Sequence, residues 1–409
     1  MDSITGVDDA IKFAEEKRVK FVDLEFTDVK GDLHVETYVA DALKGILEEG
    51  VYFDGSSIPG MTEISDSDLL LVGDPSTIGI SPFSPENLKS ARIVCDIKTP
   101  GGDDYELAPR TALKKLLERA EREGIEFIIG YEPEFFLFNG KEPGDSADYF
   151  AGYSEDAGLD IRKEILLAAN EAGIKMDKAH HEVAKGQHEL GFLPGPVLHM
   201  SDRLVLYREL VKFIAKKHGL TASFDPKPFE KENGSGCHTH FSFRNGSEHP
   251  FYDADRKFRL SDKARYFIRG VIDEVPALTA LLNPSESSSK RLVPGYEAPT
   301  RICIGERNRS ALIRVPAFSS PGSARVEIRS PDPTLNPYVA YAGILGAGLK
   351  GIEKGKDISP EMVVETSVFN DGHNLWEIPS SLDDAMAEFR KSDVIRAALG
   401  PALHELYSK

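Results

Sequence analysis

Residues 126–138 read EFIIGYEPEFFLF. The run is almost wholly apolar and aromatic, which predicts a β-strand buried for most of its length. Two glutamates interrupt it. Side chains alternate between the two faces of a strand, so Glu132 and Glu134 stand side by side on one of them. Like charges on an otherwise apolar strand repel unless cations lie between them, although a face turned to solvent shows the same alternation. Pro133 cannot donate to a ladder and predicts an edge or irregular position.

Working outward, 111–123 predicts a helix with Thr111 as N-cap, Gly124 just past its end, and Leu113, Leu116, Leu117 and Ala120 as its apolar stripe. Further helices are predicted over 160–172, 202–217, 336–355 and 382–398, and strands over 220–224, 237–243, 309–315 and 324–330. Towards the N-terminus a helix over 9–17 precedes strands at 19–29, 33–39 and 92–97. Between them, 53–85 is rich in Gly, Pro, Ser and Asp and reads as ordered loop around LLLVG. TPGGDD (99–104) is the clearest linker-like stretch. It divides the chain into a small, mostly β domain (1–103) and a larger one (104–409). Strands interspersed with helices, without a regular βαβ repeat, indicate the α+β class.

The 409 residues carry 67 acidic and 49 basic side chains, a formal charge of −18. That balance argues against nucleic acid or an anionic membrane as partner and makes oxygen-ligand metal sites easy to build. Cys95, Cys237 and Cys303 show no C-x-x-C spacing, so neither a disulfide framework nor a zinc ribbon is expected, and a reducing compartment fits. With no signal pattern at the start and no run of 18 apolar residues, the expectation is a cytoplasmic protein.

Five further stretches carry chemistry. HHEVAKGQHELGF (180–192) brackets a Gly-containing turn with Glu182 and Glu189. NGSGCHTHFSF (233–243) puts His238 and His240 on one strand face after a Gly-rich approach. ARVEIRSPDP (324–333) puts Arg325, Glu327 and Arg329 on one face, compatible with a surface ion-pair ladder or with binding carboxylate and phosphate oxygens. KRLVPGYEAP (290–299) is a Pro/Gly-flanked loop with Glu297 at its tip, and RNRSALIRV (307–315) adds Arg307, Arg309 and Arg314. Hard oxygen ligands with few imidazoles suit Mg²⁺ or Mn²⁺. Carboxylate-held metals facing arginines are the equipment of phosphoryl transfer from a nucleotide. Residues 346–351 match G-x-G-x-x-G literally, but follow an apolar helix rather than a strand and read as a close helix-packing face.

In this order these stretches, with FDGSS (53–57) and VEIRSPDPTLNPYVAYA from Val326 onward, resemble the glutamine synthetase family, type I. The resemblance implies an N-terminal β-grasp-like domain, a catalytic α/β domain whose antiparallel sheet forms a cradle, and a homo-oligomer, a hexameric ring or dodecamer, with active sites between subunits. It implies two or more Mg²⁺ or Mn²⁺ ions per site: Glu134, Glu182 and Glu189 would hold one, Glu132, His238 and Glu327 another. Asn233, Gly234, Arg291 and Arg329 would bind L-glutamate. Asp177, His240, Ser242, Arg314 and Arg325 would contact ATP, and Arg309 the transferring phosphate. Asp54 of a neighbouring subunit would bind and deprotonate ammonium, with Tyr149, Ser57 and Glu182 nearby, and Glu297 would be the acid of a closing flap. Ser287-Ser288-Ser289 departs from the family's usual Asn-Ser-Tyr, and Trp376 takes the place of a tyrosine that some members adenylylate, so that regulation is expected to be absent. The implied reaction is ATP-dependent ligation of ammonia to glutamate. A γ-glutamyl–amine ligase on the same fold, and a catalytically silent ring-forming scaffold, are the competing readings.

Overall fold

The computed structural model describes residue 4, residues 6–369 and residues 374–409. The N-terminal part contains helices α1 (Val7–Lys17) and α2 (Leu43–Glu49) and strands β1 (Phe21–Thr27), β2 (Leu33–Val39), β3 (Val51–Asp54), β4 (Asp68–Gly73), β5 (Gly79–Ile80) and β6 (Ser90–Lys98). The strands form one sheet in the order β2-β1-β6-β4-β3, with β5 also on β6, and β1 runs parallel to β6. Val22, Leu24, Leu71, Ile93 and Ile97 from its inner face pack with Ala10 and Ala14 of α1 and Leu43, Ile46 and Leu47 of α2. The loop-rich 53–85 segment thus contributes paired strands as well as the LLLVG run. TPGGDD is a tight turn rather than a free linker, closed by Thr99 N–H donating to Asp103 and Gly102 N–H to Thr99.

From α3 (Pro109–Arg122) the chain enters β7 (Glu126–Asn139), β8 (Glu142–Pro143), α4 (Leu159–Glu171), β9 (Met176–His181), β10 (Gln187–Phe192), β11 (Gly195–Pro196), α5 (Val197–Lys217), β12 (Thr221–Ser223) and β13 (Cys237–Arg244). It continues through α6 (Asp262–Leu282), α7 (Glu286–Arg291), β14 (Ile304–Glu306), β15 (Ile313–Val315), β16 (Val326–Ile328), α8 (Pro337–Lys354), α9 (Leu382–Lys391), α10 (Asp393–Leu399) and α11 (Pro401–Tyr407). The second sheet runs β14-β15-β16-β13-β7-β10-β9, and β8, β11 and β12 also pair with β7. β7 is therefore the spine, not an edge. Pro133 is accommodated because β7 changes partners there: the ladder to β13 ends at the Cys237–Pro133 pair and that to β10 begins at Glu134–Glu189.

Phe127, Ile129, Tyr131 and Phe135 leave β7 on the face covered by helices, and the Tyr131 ring stacks on Tyr341 of α8 at 5.4 Å. Glu132 and Glu134 leave the other face. The helical layer centres on α6 against α8, whose backbones approach so closely that a Cβ at Gly270 would lie 2.7 Å from Gly351 Cα. One at Gly348 would collide with the Phe267 ring. The G-x-G-x-x-G match is thus a packing face, as read.

Several boundaries differ from the sequence reading. α3 starts at Pro109, whose fixed φ suits the first helical turn, and its N-cap is Ala108 rather than Thr111. α5 begins at Val197, five residues before its expected start. The predicted 382–398 helix is two, separated where Ser392 caps Ile395 N–H. Strands 309–315 and 324–330 shorten to β15 and β16. The 21-residue α6 has no counterpart in the sequence reading, since Gly270 and Pro276 inside it signal a break.

One cation fastens the two parts together. Arg110 of α3 pairs with Asp74 at 2.9 Å and Asp96 at 2.5 Å from the first sheet's side, and with Asp202 of α5 at 2.9 Å. Tyr338 Oη also donates to Asp202, at 2.8 Å. Among the described residues no helix is long and apolar enough to cross a membrane.

Candidate active site

The period-two rule and the sheet register together build one acidic face. Glu132 lies opposite His238, Glu134 opposite Glu189, Glu189 opposite His180, and His240 opposite Glu327. Partners directly opposite in antiparallel strands project to the same side. Five strands therefore aim these side chains at one cleft, and Glu182 joins from just beyond β9, with its Oε1 2.8 Å from His180 Nε2.

The cleft divides into two adjoining cavities. One of about 310 Å³ is lined by Glu132, Glu134, Glu182, Glu189, Glu297 and Glu327, with Tyr149, His238, Arg309, Arg314 and Arg329. The other, about 480 Å³, is lined by Asp177, His240, Ser242 and Arg325 with apolar Ile128, Phe192 and Phe241. An acidic chamber for cations thus adjoins a half-apolar one whose polar groups suit a base and phosphates.

The carboxylates are unequally balanced. Burial alone would raise Glu327, which is 0% exposed, but Arg329, the nearby His238 and His240, and Arg314 outweigh it and bring its carboxyl to about 2. Arg329 and Arg314 donate to it at 2.5 and 2.6 Å. Burial would also raise Glu132; His240 at 3.4 Å and Lys178 at 2.7 Å reverse that and hold it far below the usual carboxylate range. Glu189 goes the other way, raised by burial and by the charges of Glu132 and Glu134. Carboxylates are thus most crowded on the Glu189 side, and a divalent cation would relieve the crowding.

The donor set fits hard divalent ions. Glu132, His240 and Glu327 form one group whose ligand atoms converge, and His180, Glu182 and Glu189 another. Beside them, Gln187 Nε2 and Gly236 N–H both donate to Glu134, at 2.8 and 2.9 Å, and His238 Nε2 stands 3.3 Å from it. His238 lines the acidic chamber with Glu132 and Glu327, while His240 lines the adjoining cavity and also converges on those two glutamates. Carboxylate oxygens with one imidazole per group are ligands for Mg²⁺ or Mn²⁺.

Of the other predicted residues, Arg309, Arg314, Arg329, Tyr149 and Glu297 reach the acidic chamber. Glu297 has φ +57, a left-handed conformation costly for a non-glycine residue, and its carbonyl accepts from Arg329 Nη2 at 3.4 Å. Gly234 is on the rim, its carbonyl accepting from Gln187, next to half-buried Asn233. Arg291 is buried and spends its guanidinium on the carbonyls of Ser330 and Arg329. Asp54 and Ser57 line neither cavity. They form an exposed cap in which Ser56 and Ser57 hydroxyls donate to Asp54 and hold its carboxyl below the usual range.

The sequence reading missed several participants. Lys178 and Gln187 touch the glutamates directly. Under the chamber, His181 spans Asp145 and the Glu182 carbonyl, while Arg162 pairs with Asp156 and donates to His188 Nδ1. These buried bonds brace the turn that carries Glu182 and Glu189. Lys227, 8% exposed, places its ammonium 3.6 Å from the Tyr296 ring beside Glu297. His181, Gln187 and His188 lay inside the quoted HHEVAKGQHELGF stretch; the rest are joined only by the fold.

The pattern of the glutamine synthetase catalytic domain matches residues 106–409, and that of the glutamine synthetase β-grasp domain matches residues 18–100. A glutamine synthetase of Thermococcus kodakarensis is 42% identical over 98% of this chain and 90% of its own length. One of Methanococcus maripaludis is 37% identical over 98% and 94%. Among solved structures, a GmaS–ADP complex superposes with a TM-score of 0.88 at 30% identity, covering 98% of this chain and 94% of its own. A Plasmodium falciparum glutamine synthetase gives 0.89 at 25% identity, covering 99% and 95%. With a β-grasp sheet, a carboxylate-lined cradle and relatives matched along nearly its whole length, this chain belongs to the glutamine synthetase family.

Proposed function

We propose that the protein ligates ammonia to the γ-carboxylate of L-glutamate at the expense of ATP, releasing glutamine, ADP and phosphate. The observation that carries this reading is the joined pair of cavities, one acidic and one suited to a nucleotide, with Arg309, Arg314 and Arg329 facing the acidic one. Asp177, His240, Ser242 and Arg325 bind ATP in the half-apolar cavity. Glu132, Glu134, Glu182, Glu189, His238 and Glu327 would hold Mg²⁺ or Mn²⁺, which when bound neutralises phosphate charge and lets two anions approach. Asn233, Gly234, Arg291 and Arg329 orient glutamate so that its γ-carboxylate attacks the γ-phosphorus of ATP. Arg309 stabilises the charge on the transferring phosphoryl group, and γ-glutamyl phosphate results.

Glu297, on its strained loop, closes over that acyl phosphate and excludes water; the contact of Lys227 with Tyr296 holds the loop against the glutamate-binding segment. Ammonium then gives a proton to Asp54 of a neighbouring subunit, and the ammonia attacks the acyl carbon and expels phosphate. Asp54 and Ser57 lie outside the cleft of their own chain, which supports their serving a neighbouring subunit's site in a cytoplasmic ring of six or twelve.

Phosphate release from ATP and glutamate with Mg²⁺ tests the reading, comparing ammonium with methylamine and polyamines. Ammonium-dependent release with glutamine formed is expected. Release strictly dependent on an organic amine would make the protein a γ-glutamyl–amine ligase, and none with any amine a scaffold. Light scattering separates six subunits from twelve.

A further inference from the structure

Lys178 stands where the two candidate metal groups meet. Its ammonium is 2.7 Å from Glu132, which belongs with His240 and Glu327, and 3.6 Å from Glu189, which belongs with His180 and Glu182. Among the described residues, only Glu132 and Lys178 line both cavities. The adjacent strand is shaped for this lysine. Gly191 pairs with Lys178 across β9 and β10 and does not have a positive φ, so no turn demands a glycine there. A Cβ at Gly191 would instead lie 2.7 Å from the Lys178 Cγ and 2.4 Å from its Cε, because the lysine stem passes over that backbone. Arg314 and Arg329, by contrast, are both tied to buried Glu327. The Lys178 side chain is 49% exposed and sits on four rotatable methylenes, so unlike the arginines tied to Glu327 it is free to leave.

We propose that Lys178 is an exchangeable counter-ion. Its ammonium holds Glu132 and Glu189 together until a divalent cation takes their oxygens, then turns along the Gly191 trench into the adjoining cavity to bind nucleotide phosphates. The proposal rests on the metal-and-nucleotide reading of the cleft. It makes Lys178 oppose the binding of metal alone and favour the binding of nucleotide once metal is present. A fixed structural ion pair would also oppose metal but would not aid nucleotide, since its ammonium would stay on the acids whatever the cleft contained.

Calorimetric titration of the full chain with Mn²⁺ alone, and then with ADP at saturating Mn²⁺, tests this without recourse to turnover. Lys178→Met is expected to bind Mn²⁺ about tenfold more tightly, because a competing unit charge within a few ångströms is gone. With Mn²⁺ present it is expected to bind ADP about tenfold more weakly, having lost a charge-assisted phosphate contact. Gly191→Ala crowds the stem while keeping the charge, and is expected to shift Mn²⁺ affinity the same way by less. Unchanged or weaker Mn²⁺ binding by Lys178→Met, or unchanged ADP binding, overturns the proposal while leaving the metal site standing. A wild-type chain that binds no Mn²⁺ overturns the metal reading itself, and this proposal with it.

Discussion

Arg110 and Lys178 each gather carboxylates from separate strands, and they do so in opposite ways. At the domain junction one guanidinium, 4% exposed, meets Asp74, Asp96 and Asp202 with its several fixed N–H groups, and Lys114 also reaches Asp96. Burial would raise Asp74, but Arg110 and Ser76 outweigh it and keep it below the usual carboxylate range. In the cleft six carboxylates share Lys178, Arg309, Arg314 and Arg329, and Glu189 is pushed up by burial and by its acidic neighbours. In the first cluster every carboxylate meets a cation of the chain directly, as a structural junction requires. In the second the carboxylates crowd one another, and a cation from solution would relieve them.

The largest effect is expected from Arg110→Met, which leaves Asp202 buried without its cation and is expected to cost about 3–5 kcal/mol in urea unfolding. An unchanged midpoint would remove the structural role. The pH dependence has a definite sign. Asp74 titrates lower in the native state than its unfolded value of about 3.9, so its contribution is complete above that pH and lost as pH falls through the native value. The stability gap between wild type and Arg110→Met should therefore narrow below about pH 4.

Glu327→Gln acts on the other cluster. Its expected cost is on the order of 10²–10³-fold in glutamine formation, because two arginines lose the charge they face and the chamber loses a ligand. Loss of less than tenfold would argue against the metal assignment. Mn²⁺ at a hundred times its Kd is expected to stabilise the wild type by about 2.7 kcal/mol, and Arg110→Met by the same increment, as independent sites do. Unequal increments would show that the two clusters communicate. The smallest effect is expected at the flap: Tyr296→Leu forfeits a cation–π contact of about 0.5–2 kcal/mol and raises the share of ATP turnover that ends in phosphate without glutamine. Tyr296→Phe keeps the ring face and should restore the coupling.

Much of the first sheet and the cleft was legible locally. The Lys30-Gly31-Asp32 turn after an alternating strand predicted β2 at 33–39 with its observed bounds, and the two-residue period put Glu132 and Glu134 on one face. The family motifs carried His238, Glu182 and Glu327. Thr111 as N-cap failed because Pro109 is already a good first residue of the helix. Helix α6 was missed because Gly270 and Pro276 weaken a local helix signal; Gly270 is there for the approach of Gly351, eighty-one residues away.

By itself, the sequence determined which residues alternate, which turns carry glycine, and that carboxylates, imidazoles and arginines recur in an order shared with one family. Only the tertiary structure decided that Gln187 and Gly236 donate to Glu134, that Arg291 is committed to the Ser330 and Arg329 carbonyls, and that Lys178 lies between the two candidate metal groups. The physical reason is that side-chain period is a property of each strand alone, whereas partners are chosen by the register between strands and by side chains crossing backbone that leaves them room.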